Sequence, residues 1–282
     1  MEVGLRVYSG GGCSAVQKYE RDGYLLVKRS FAAVECEALR EEAHRLATWH
    51  QVIRPDNLRT EMWQHNGCAE INKYDPVVDI SPVFAHVAAD ARLTDVVAAL
   101  FGEQPLLFKD KLIFKMPGHG GFGPHQDHTW YWCFPPHLIA AMVSIDEADE
   151  ANGALEVAVG YHRMDNPVPQ GEIRDLTASE CPPTTAWRTV TTGIGDIVFF
   201  DGLLPHRSGP NNSNRSRRAL YLTYNPGQYG NLYGQYYAYR RDLMLRSNGP
   251  SCGNFYVAPQ FRATADYYPP IPQLGPYSKS QD

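Results

Sequence analysis

The sequence lacks a long hydrophobic run, closely spaced cysteines and an excess of basic residues, and each absence excludes a class of protein. No window approaches the roughly 20 apolar residues that cross a bilayer, so we expect no membrane partner. The six cysteines include no CxxC pair, which argues against zinc-finger and thioredoxin-type sites. The 26 Lys and Arg residues are outnumbered by 31 Asp and Glu residues, for a net charge of −5, so we expect no nucleic-acid partner.

The amino-terminal segment also lacks the features of an export signal. Residues 1–6 contain no apolar core of the kind that a secretory signal needs. Thiols of a protein that is not exported stay reduced, so we expect free cysteines rather than a disulfide framework. They are Cys13, Cys36, Cys68, Cys133, Cys181 and Cys252. These features predict a soluble, cytoplasmic protein.

The composition is that of one ordinary folded domain. Apolar residues make up 43% of the 282 positions and charged residues 20%, which excludes disorder and a highly charged coiled coil. A chain of this length fits a single core, so we predict one domain over residues 1–282. We divide it into a helical flank at 1–105, a strand-rich core at 106–225 and an aromatic-rich C-terminal wrap at 226–282.

The first hundred residues predict helices that pack against another part of the protein. Ser30 is a candidate N-cap for a helix that runs to Leu46, because the apolar residues between them have helical spacing. A second helix is predicted to begin at Ser81–Pro82, since serine caps helices and proline suits the first helical position. Gly102 is a natural end for that helix.

From Leu106 onwards the pattern changes to short apolar or alternating runs separated by Gly, Pro and Asn. The predicted strands are 106–116, 137–147, 153–160, 187–192, 196–200 and 217–225. No helical period lies between them, which favours an antiparallel sandwich or barrel over a βαβ fold. Asn152–Gly153 predicts a hairpin turn. The long connection 164–185 is typical of a lid or a binding loop.

A candidate metal site begins at His125–Asp127. On an extended segment, residues i and i+2 point to the same side, so the His125 imidazole and the Asp127 carboxylate can hold one ion. His206 follows a buried strand and supplies a third ligand. Two histidines and one carboxylate form the facial triad of non-haem Fe(II) oxygenases, which leaves positions open for cosubstrate and O₂. A closed structural zinc site needs a fourth ligand, and no cysteine is suitably placed for one.

A partner for an anionic cosubstrate follows in the last predicted strand. Alternation places Arg217 on the same face as Ala219 and Tyr221, and we assign that face to the interior. A bound 2-oxoglutarate needs a permanently charged, bidentate partner for its far carboxylate, which arginine supplies better than lysine. Arg218 then points outwards as a solvated charge.

The combination of these motifs resembles the phytanoyl-CoA dioxygenase (PhyH) family of Fe(II)- and 2-oxoglutarate-dependent oxygenases. The resemblance covers most of the chain, and the segments that carry it are Tyr19–Tyr24, His125–Asp127, Asn152–Leu155, Gly160–Arg163, His206–Asn211 and Arg217–Asn225. One departure is Val159–His162, where the family usually has P-G-[ST]-H. Asp127 stands where halogenating relatives have a small residue, which favours hydroxylation.

The resemblance implies an α+β fold in which a double-stranded β-helix, or jelly roll, is flanked by the N-terminal helices. The implied iron ligands and catalytic residues are His125, Asp127 and His206. The implied 2-oxoglutarate-binding residues are Arg217, Ser208 and Lys111. The implied reaction consumes O₂, decarboxylates 2-oxoglutarate to succinate and returns a hydroxyl group to the substrate, while the protein supplies positioning and water exclusion.

Residues that follow the metal motif are candidates for the substrate pocket. Trp130 and Trp132 can receive an ammonium group by cation–π contact or stack on a ring, unless they pack within the core instead. Alternation turns either these tryptophans or Thr129 and Tyr131 towards the site. The remaining basic side chains are predicted to be structural or solvated. They are Lys109, Lys115, His119, His137, His162, Arg240 and Arg241. The aromatic stretch Tyr236–Arg241 is predicted to be a surface helix with solvated arginines, and the alternative is that it reaches the substrate mouth and holds an anionic group.

The leading prediction is an enzyme that hydroxylates a small molecule, either a polar metabolite such as an aminophosphonate or a natural-product intermediate. No basic patch suits the 3′-phosphate of coenzyme A, so an acyl-CoA hydroxylase is less favoured. A desaturase, cyclase or epimerase on the same scaffold is also compatible with these residues, as is a non-catalytic jelly-roll binding module. The sequence leaves the oligomeric state open.

Overall fold

The protein has a mixed α/β architecture dominated by antiparallel sheets. The computed structural model describes residues 14–50, 52–53, 57–65 and 67–248. Two of the cysteines, Cys13 and Cys252, and the part of the predicted C-terminal wrap after residue 248 lie outside the described residues.

The strands of the described part form two sheets in which neighbouring strands are antiparallel. They are β1 (Tyr24–Val27), β2 (Thr60–His65), β3 (Cys68–Tyr74), β4 (Pro105–Lys115), β5 (Phe122–His125), β6 (Ile139–Ser144), β7 (Leu155–Ala158), β8 (Trp187–Val190), β9 (Ile197–Asp201), β10 (His206–Ser208) and β11 (Arg217–Pro226). One sheet has seven strands in the order β1-β9-β6-β11-β4-β3-β2, and the other has four in the order β5-β10-β7-β8. All six predicted strands are present, as β4, β6, β7, β8, β9 and β11.

Helices of the described part precede and follow the strand-rich core. The α-helices are α1 (Ala15–Asp22), α2 (Ala33–Ala47), α3 (Pro82–Ala88), α4 (Ala91–Phe101) and α5 (Tyr233–Asn248). The 3-10 helices are Val78–Ile80, Asp127–Tyr131, Tyr161–Arg163, Thr184–Ala186 and Gly227–Tyr229. None of the described helices combines the length and the hydropathy that crossing a bilayer requires.

Alternation along the strands divides the core into two layers. On β11, Leu220 and Leu222 point towards the helices and join a buried cluster that includes Leu39 of α2. Ala219 and Tyr221 point the other way and pack against apolar side chains of the four-stranded sheet. Both faces of β11 are therefore buried, which explains why its sequence is almost continuously apolar.

The N-terminal half contains more strand than the sequence predicted. Within the predicted helical flank, β1, β2 and β3 extend the large sheet. The predicted helix between Ser81 and Gly102 is in fact two helices, α3 and α4. Asp90 caps α4 by accepting a hydrogen bond from the Arg92 backbone N–H (2.8 Å). An aspartate stabilises a helix at its N-cap but not in its interior, which favours a new helix beginning here.

Asn152–Gly153 forms a turn, but the hairpin prediction is wrong. The flanking strands β6 and β7 belong to different sheets, so the turn carries the chain from one sheet to the other. The Asn152 side chain donates to the Glu147 carbonyl (2.8 Å) and accepts from the Asp149 N–H (2.8 Å). Gly153 has φ +73°, a conformation that a side chain would strain.

The long connection between β7 and β8 lies against the small sheet. The Leu176 N–H donates to the Pro124 carbonyl of β5 (2.7 Å), and a side chain at Gly123 would collide with Asp175. This connection therefore contacts the strand that ends at His125. Its role as a lid or binding loop stays a prediction.

Candidate metal centre

The pairing of two short strands brings the three predicted metal ligands together. His125 is the last residue of β5 and lies opposite His206, the first residue of β10, with the ring centroids 4.3 Å apart. Asp127 begins the adjacent 3-10 helix rather than continuing the strand. One potential ligand atom of each side chain lies within 4.8 Å of the others. No other His, Cys, Asp or Glu of the described residues joins this group.

The backbone holds this arrangement in register across the two segments. The His128 N–H donates to the Gly202 carbonyl (3.1 Å), and the Gln126 side chain donates to the Leu203 carbonyl (2.6 Å). These bonds fasten the segment around Asp127 to the loop that leads into His206. The triad therefore depends on two segments that are distant in sequence but hydrogen-bonded in the fold.

Both imidazoles are oriented by a carbonyl two residues earlier in the chain. His125 Nδ1 lies 2.7 Å from the Gly123 oxygen, and His206 Nδ1 lies 2.9 Å from the Leu204 oxygen. A carbonyl oxygen only accepts, so each Nδ1 carries the proton and each Nε2 keeps a free lone pair for a metal. A proline, Pro124 or Pro205, separates each pair and fixes φ between the carbonyl and the histidine. The repeated pattern of proline before histidine is a signal that is visible in the sequence.

Burial and local charge put all three side chains into the protonation state that binds a cation. Burial lowers the pKa of His125 to about 3 and also lowers the pKa of His206, so both rings are neutral. Burial by itself would raise the pKa of Asp127, but the positive charges of Lys109 and Lys111 outweigh it and hold that pKa below its usual value. Neutral nitrogen donors and one carboxylate on a single face fit a divalent transition metal.

Three lysines on β4 point towards this centre, which corrects the prediction that Lys109 and Lys115 are solvated. Lys109 is 5% exposed and Lys115 is 1% exposed. The Lys109 Nζ lies 3.8 Å from an Asp127 carboxylate oxygen and 4.4 Å from the centroid of the Tyr131 ring. Lys111 is half-buried and has the same parity on the strand, and its Nζ lies 5.0 Å from the centroid of the Tyr221 ring. These ammonium groups therefore lie between the sheets, where strand alternation directs them.

Another cationic group lies at the end of β11. Arg217 is 2% exposed and faces the space between the sheets, as alternation predicted. It pairs in register with Lys115 and contacts the Tyr221 hydroxyl (3.2 Å), while its Nε has no hydrogen-bond partner. No carboxylate of the described residues forms an ion pair with Arg217. A buried guanidinium in this state fits a carboxylate ligand.

Lys115, the register partner of Arg217 on β4, binds Ser208. Its Nζ donates to the Ser208 hydroxyl oxygen (2.6 Å) and to the Gly209 carbonyl (2.6 Å). Burial, followed by the charge of Arg217, lowers the pKa of Lys115 to about 7. Since the Ser208 oxygen accepts from Lys115, its own proton is free to be donated to another group.

The neighbouring basic residues follow the predictions in part. Arg218 points towards the helices but is not solvated, because it forms a two-pronged ion pair with Asp146 (2.7 and 2.8 Å). Arg240 of α5 is likewise paired, with Asp75 (3.2 Å), which corrects its prediction as a solvated charge. Arg241 and His137 are exposed, His119 is buried and bonded to the Phe114 carbonyl, and His162 is half-buried.

The residues after Asp127 form a 3-10 helix, so strand alternation does not apply to them. Trp130 is 40% exposed, and Trp132 is half-buried just after the helix. Tyr131 is fully buried, and Tyr236 of α5 also lies beside Lys109, with its ring centroid 5.8 Å from Nζ. In one of its two alternatives, sequence alternation had turned Tyr131 towards the site. Alternation gave no information on the contact between Tyr236 and Lys109. A substrate role for the tryptophans stays a prediction.

Comparison with known proteins gives concordant matches. A family model described as Phytanoyl-CoA dioxygenase (PhyH) matches residues 19–219. The 2-aminoethylphosphonate dioxygenase of an uncultured bacterium is 41% identical over 133 residues, which is 46% of this chain and 49% of that protein. The methylphosphonate hydroxylase of Gimesia maris is 28% identical over 238 residues, which is 81% of this chain and 86% of that protein.

A solved structure has the same fold. The crystal structure of EctD from S. alaskensis in its apoform superimposes with a TM-score of 0.63 at 26% identity. The superposition covers 79% of this chain and 81% of EctD. The match therefore extends over most of the chain.

Removal of a proposed ligand tests the metal centre. We expect His125→Ala and His206→Ala each to weaken Fe(II) binding by about a hundredfold or more, because each loses one of three protein ligands. Anaerobic calorimetric titration with Fe(II) measures the affinity. The matched control is His44→Ala, on the exposed side of α2, which should bind Fe(II) as the wild type does. Unchanged affinity in His206→Ala would show that this imidazole is not a ligand.

The pKa shifts predict how the stability of the metal-free protein depends on pH. The folded-state pKa of His125 is about 3, below the ordinary value of about 6.5, so only the unfolded chain takes up this proton between those values. The contribution of His125 to the free energy of unfolding is therefore complete above about pH 6.5. It is lost as the pH falls from there towards 3, by about 1.4 kcal/mol per pH unit. Urea unfolding between pH 7.5 and 5 should show a shallower slope for His125→Gln than for the wild type. Equal slopes would contradict the shift.

Proposed function

Because the chain belongs to the phytanoyl-CoA dioxygenase (PhyH) family, we propose that it is an Fe(II)- and 2-oxoglutarate-dependent dioxygenase that hydroxylates a small molecule. The observation that carries the proposal is the triad His125, Asp127 and His206, whose ligand atoms lie within 4.8 Å of one another between two antiparallel sheets. The facing sheets support a double-stranded β-helix core at 106–225. We propose that this core and its helical flank form a single domain.

The triad residues would hold the iron at a fixed position. Backbone carbonyls orient the two imidazoles, and Lys109 keeps the Asp127 carboxylate ionised. When bound, Fe(II), 2-oxoglutarate and O₂ supply the oxidation chemistry, in which succinate and CO₂ are released and the substrate gains a hydroxyl group. The chain supplies buried, positively charged surroundings in which the reactants would be placed.

Arg217, Ser208 and Lys115 would bind the far carboxylate of 2-oxoglutarate. The buried guanidinium has an unpaired Nε–H, and the Ser208 hydroxyl has a proton to donate. Lys115 holds Ser208 in place through a 2.6 Å hydrogen bond. The resemblance placed Lys111 at the cosubstrate. The Lys111 ammonium lies over the ring of Tyr221, and the Tyr221 hydroxyl contacts Arg217. The lysine that contacts Ser208 is Lys115.

We propose a small polar metabolite such as an aminophosphonate as the substrate. Two of the relatives are named for 2-aminoethylphosphonate and methylphosphonate, and the second aligns over 81% of this chain. Trp130 and Trp132 follow the metal motif directly and are proposed to line the approach to the centre. The partly exposed indole of Trp130 is placed to meet an incoming ammonium group.

Turnover of a candidate substrate tests the proposed function. The purified protein with Fe(II), 2-oxoglutarate and 2-aminoethylphosphonate should release succinate and a product heavier by one oxygen atom. Anaerobic addition of 2-oxoglutarate to the Fe(II)-loaded protein should produce a visible metal-to-ligand charge-transfer band. Absence of that band would overturn the assignment, and turnover of acyl-CoAs alone would favour an acyl-CoA hydroxylase. A product that lacks the added oxygen would identify desaturation, cyclisation or epimerisation.

Substitution of Arg217 tests the cosubstrate site separately. We expect Arg217→Gln to weaken 2-oxoglutarate binding by about tenfold to a hundredfold, because it removes a charge-assisted bidentate contact. Fe(II) affinity should not change. The charge-transfer band measures the first quantity and calorimetry measures the second. The matched control is the exposed Arg188→Gln. Equal 2-oxoglutarate affinity in both variants would exclude Arg217 as the partner.

A further inference from the structure

Two lysines beside the metal centre carry positive charge that the iron and the cosubstrate do not require. Lys109 lies 3.8 Å from Asp127 and is 5% exposed. Lys111 is half-buried on the same face of β4, with its Nζ 5.0 Å from the centroid of the Tyr221 ring. Lys111 has no ion-pair partner among the described carboxylates. Burying an unpaired ammonium group is costly, and a second one close by adds to the cost.

The charges already assigned do not account for these lysines. The iron dication would be neutralised in part by Asp127, which leaves Lys109 without a carboxylate of its own. The cosubstrate dianion would meet the iron at one end and Arg217 at the other. Lys115 is committed to Ser208 and Gly209. Lys109 and Lys111 then carry two unit positive charges beside the centre without a counter-ion.

Two other acidic residues, Asp75 and Glu61, are paired with other basic residues. The Asp75 carboxylate pairs with Arg240 (3.2 Å) and accepts from the Tyr237 hydroxyl (3.2 Å). Glu61 pairs with Lys73 (2.7 Å). Aromatic rings confine the Lys109 ammonium, with Tyr131 at 4.4 Å. Asp127 is therefore the one described carboxylate that pairs with either lysine, and it is also a proposed ligand of the iron.

We propose that Lys109 and Lys111 bind a dianionic, tetrahedral head group of the substrate, which makes a phosphonate the recognised class. This inference rests on the proposed function and specifies its substrate. A phosphonate dianion carries one charge for each lysine, and its three oxygens accept hydrogen bonds from both ammonium groups. A sulfonate has the same shape with one charge less, and a carboxylate has neither the shape nor the second charge. Both lysines are at least partly shielded from solvent, so an analogue with one charge less leaves an ammonium group without a counter-ion and binds more weakly.

Three compounds that differ only in the head group test the proposal on the wild-type enzyme. They are 2-aminoethylphosphonate, taurine and β-alanine, which share an aminoethyl chain. Each is titrated into the anaerobic protein with Fe(II) and 2-oxoglutarate, and binding is measured by the perturbation of the charge-transfer band. We expect the phosphonate to bind at least about tenfold more tightly than either analogue, since the loss of a charged hydrogen bond costs about that much. Comparable affinity for all three, or no binding by the phosphonate, would overturn the proposal.

Variants test the lysines themselves. Lys111→Met should weaken phosphonate binding by about tenfold or more, with an unchanged affinity for 2-oxoglutarate. Lys109→Met should weaken phosphonate binding to a similar extent, and its Fe(II) affinity is measured as well because Lys109 contacts the proposed ligand Asp127. Lys111→Arg, which keeps the charge, should retain most of the affinity. The matched control is the exposed Lys28→Met. The charge-transfer band of each variant reports that the centre is intact. A loss of 2-oxoglutarate affinity in Lys111→Met would assign this lysine to the cosubstrate instead.

The two proposals fail in different ways. A wild-type protein that forms no charge-transfer band with Fe(II) and 2-oxoglutarate refutes the proposed function. A protein that forms the band but does not prefer the phosphonate, or that keeps its preference without the lysines, refutes only the inference about Lys109 and Lys111.

Discussion

Two short strands, Phe122–His125 and His206–Ser208, pair so that one histidine of each faces the other, and the rest of the centre is arranged around this contact. Hydrogen bonds from the segment 126–128 to the carbonyls of Gly202 and Leu203 fix the loop on one side of it. The long strands of the seven-stranded sheet bring the cations on the other side. A ligand set contributed by such distant parts of the chain needs this rigid frame, because each ligand is held by a different element.

Positive charge dominates the surroundings of the triad. Along one face of β4 and β11 lie the cations Lys109, Lys111, Lys115 and Arg217, all of them buried except the half-buried Lys111. Asp127 is the one carboxylate of the described residues that joins the metal group. In a protein with a net charge of −5, this excess is local. Such surroundings attract anions, in keeping with a dianionic cosubstrate.

The sequence predicted the parts of the fold whose pattern is local. Six of the strands, β4, β6, β7, β8, β9 and β11, were recognisable from their apolar or alternating runs. Parity placed Arg217 on the face that was assigned to the interior. The strands β5 and β10 have four and three residues, and β5 contains Gly and Pro, so neither had a detectable pattern. The predicted triad rested on spacing and on the resemblance. Lys109 and Lys115 were missed because lysine is usually solvated and because Asp110, on the opposite face, blurs the alternation of β4. The stretch that contains Tyr236 was considered for the substrate mouth, but its contact with Lys109 depends on where α5 packs, which the sequence does not determine.

The orientation of both histidines by main-chain oxygens has an evolutionary consequence. Many metal sites fix their imidazoles through a neighbouring carboxylate, and a single codon change can then abolish the support. Here no replacement of a side chain deletes the Gly123 or Leu204 oxygen, so the geometry is inherited with the course of the chain itself. The orientation of the imidazoles is therefore separated from the side chains that line the surroundings of the centre.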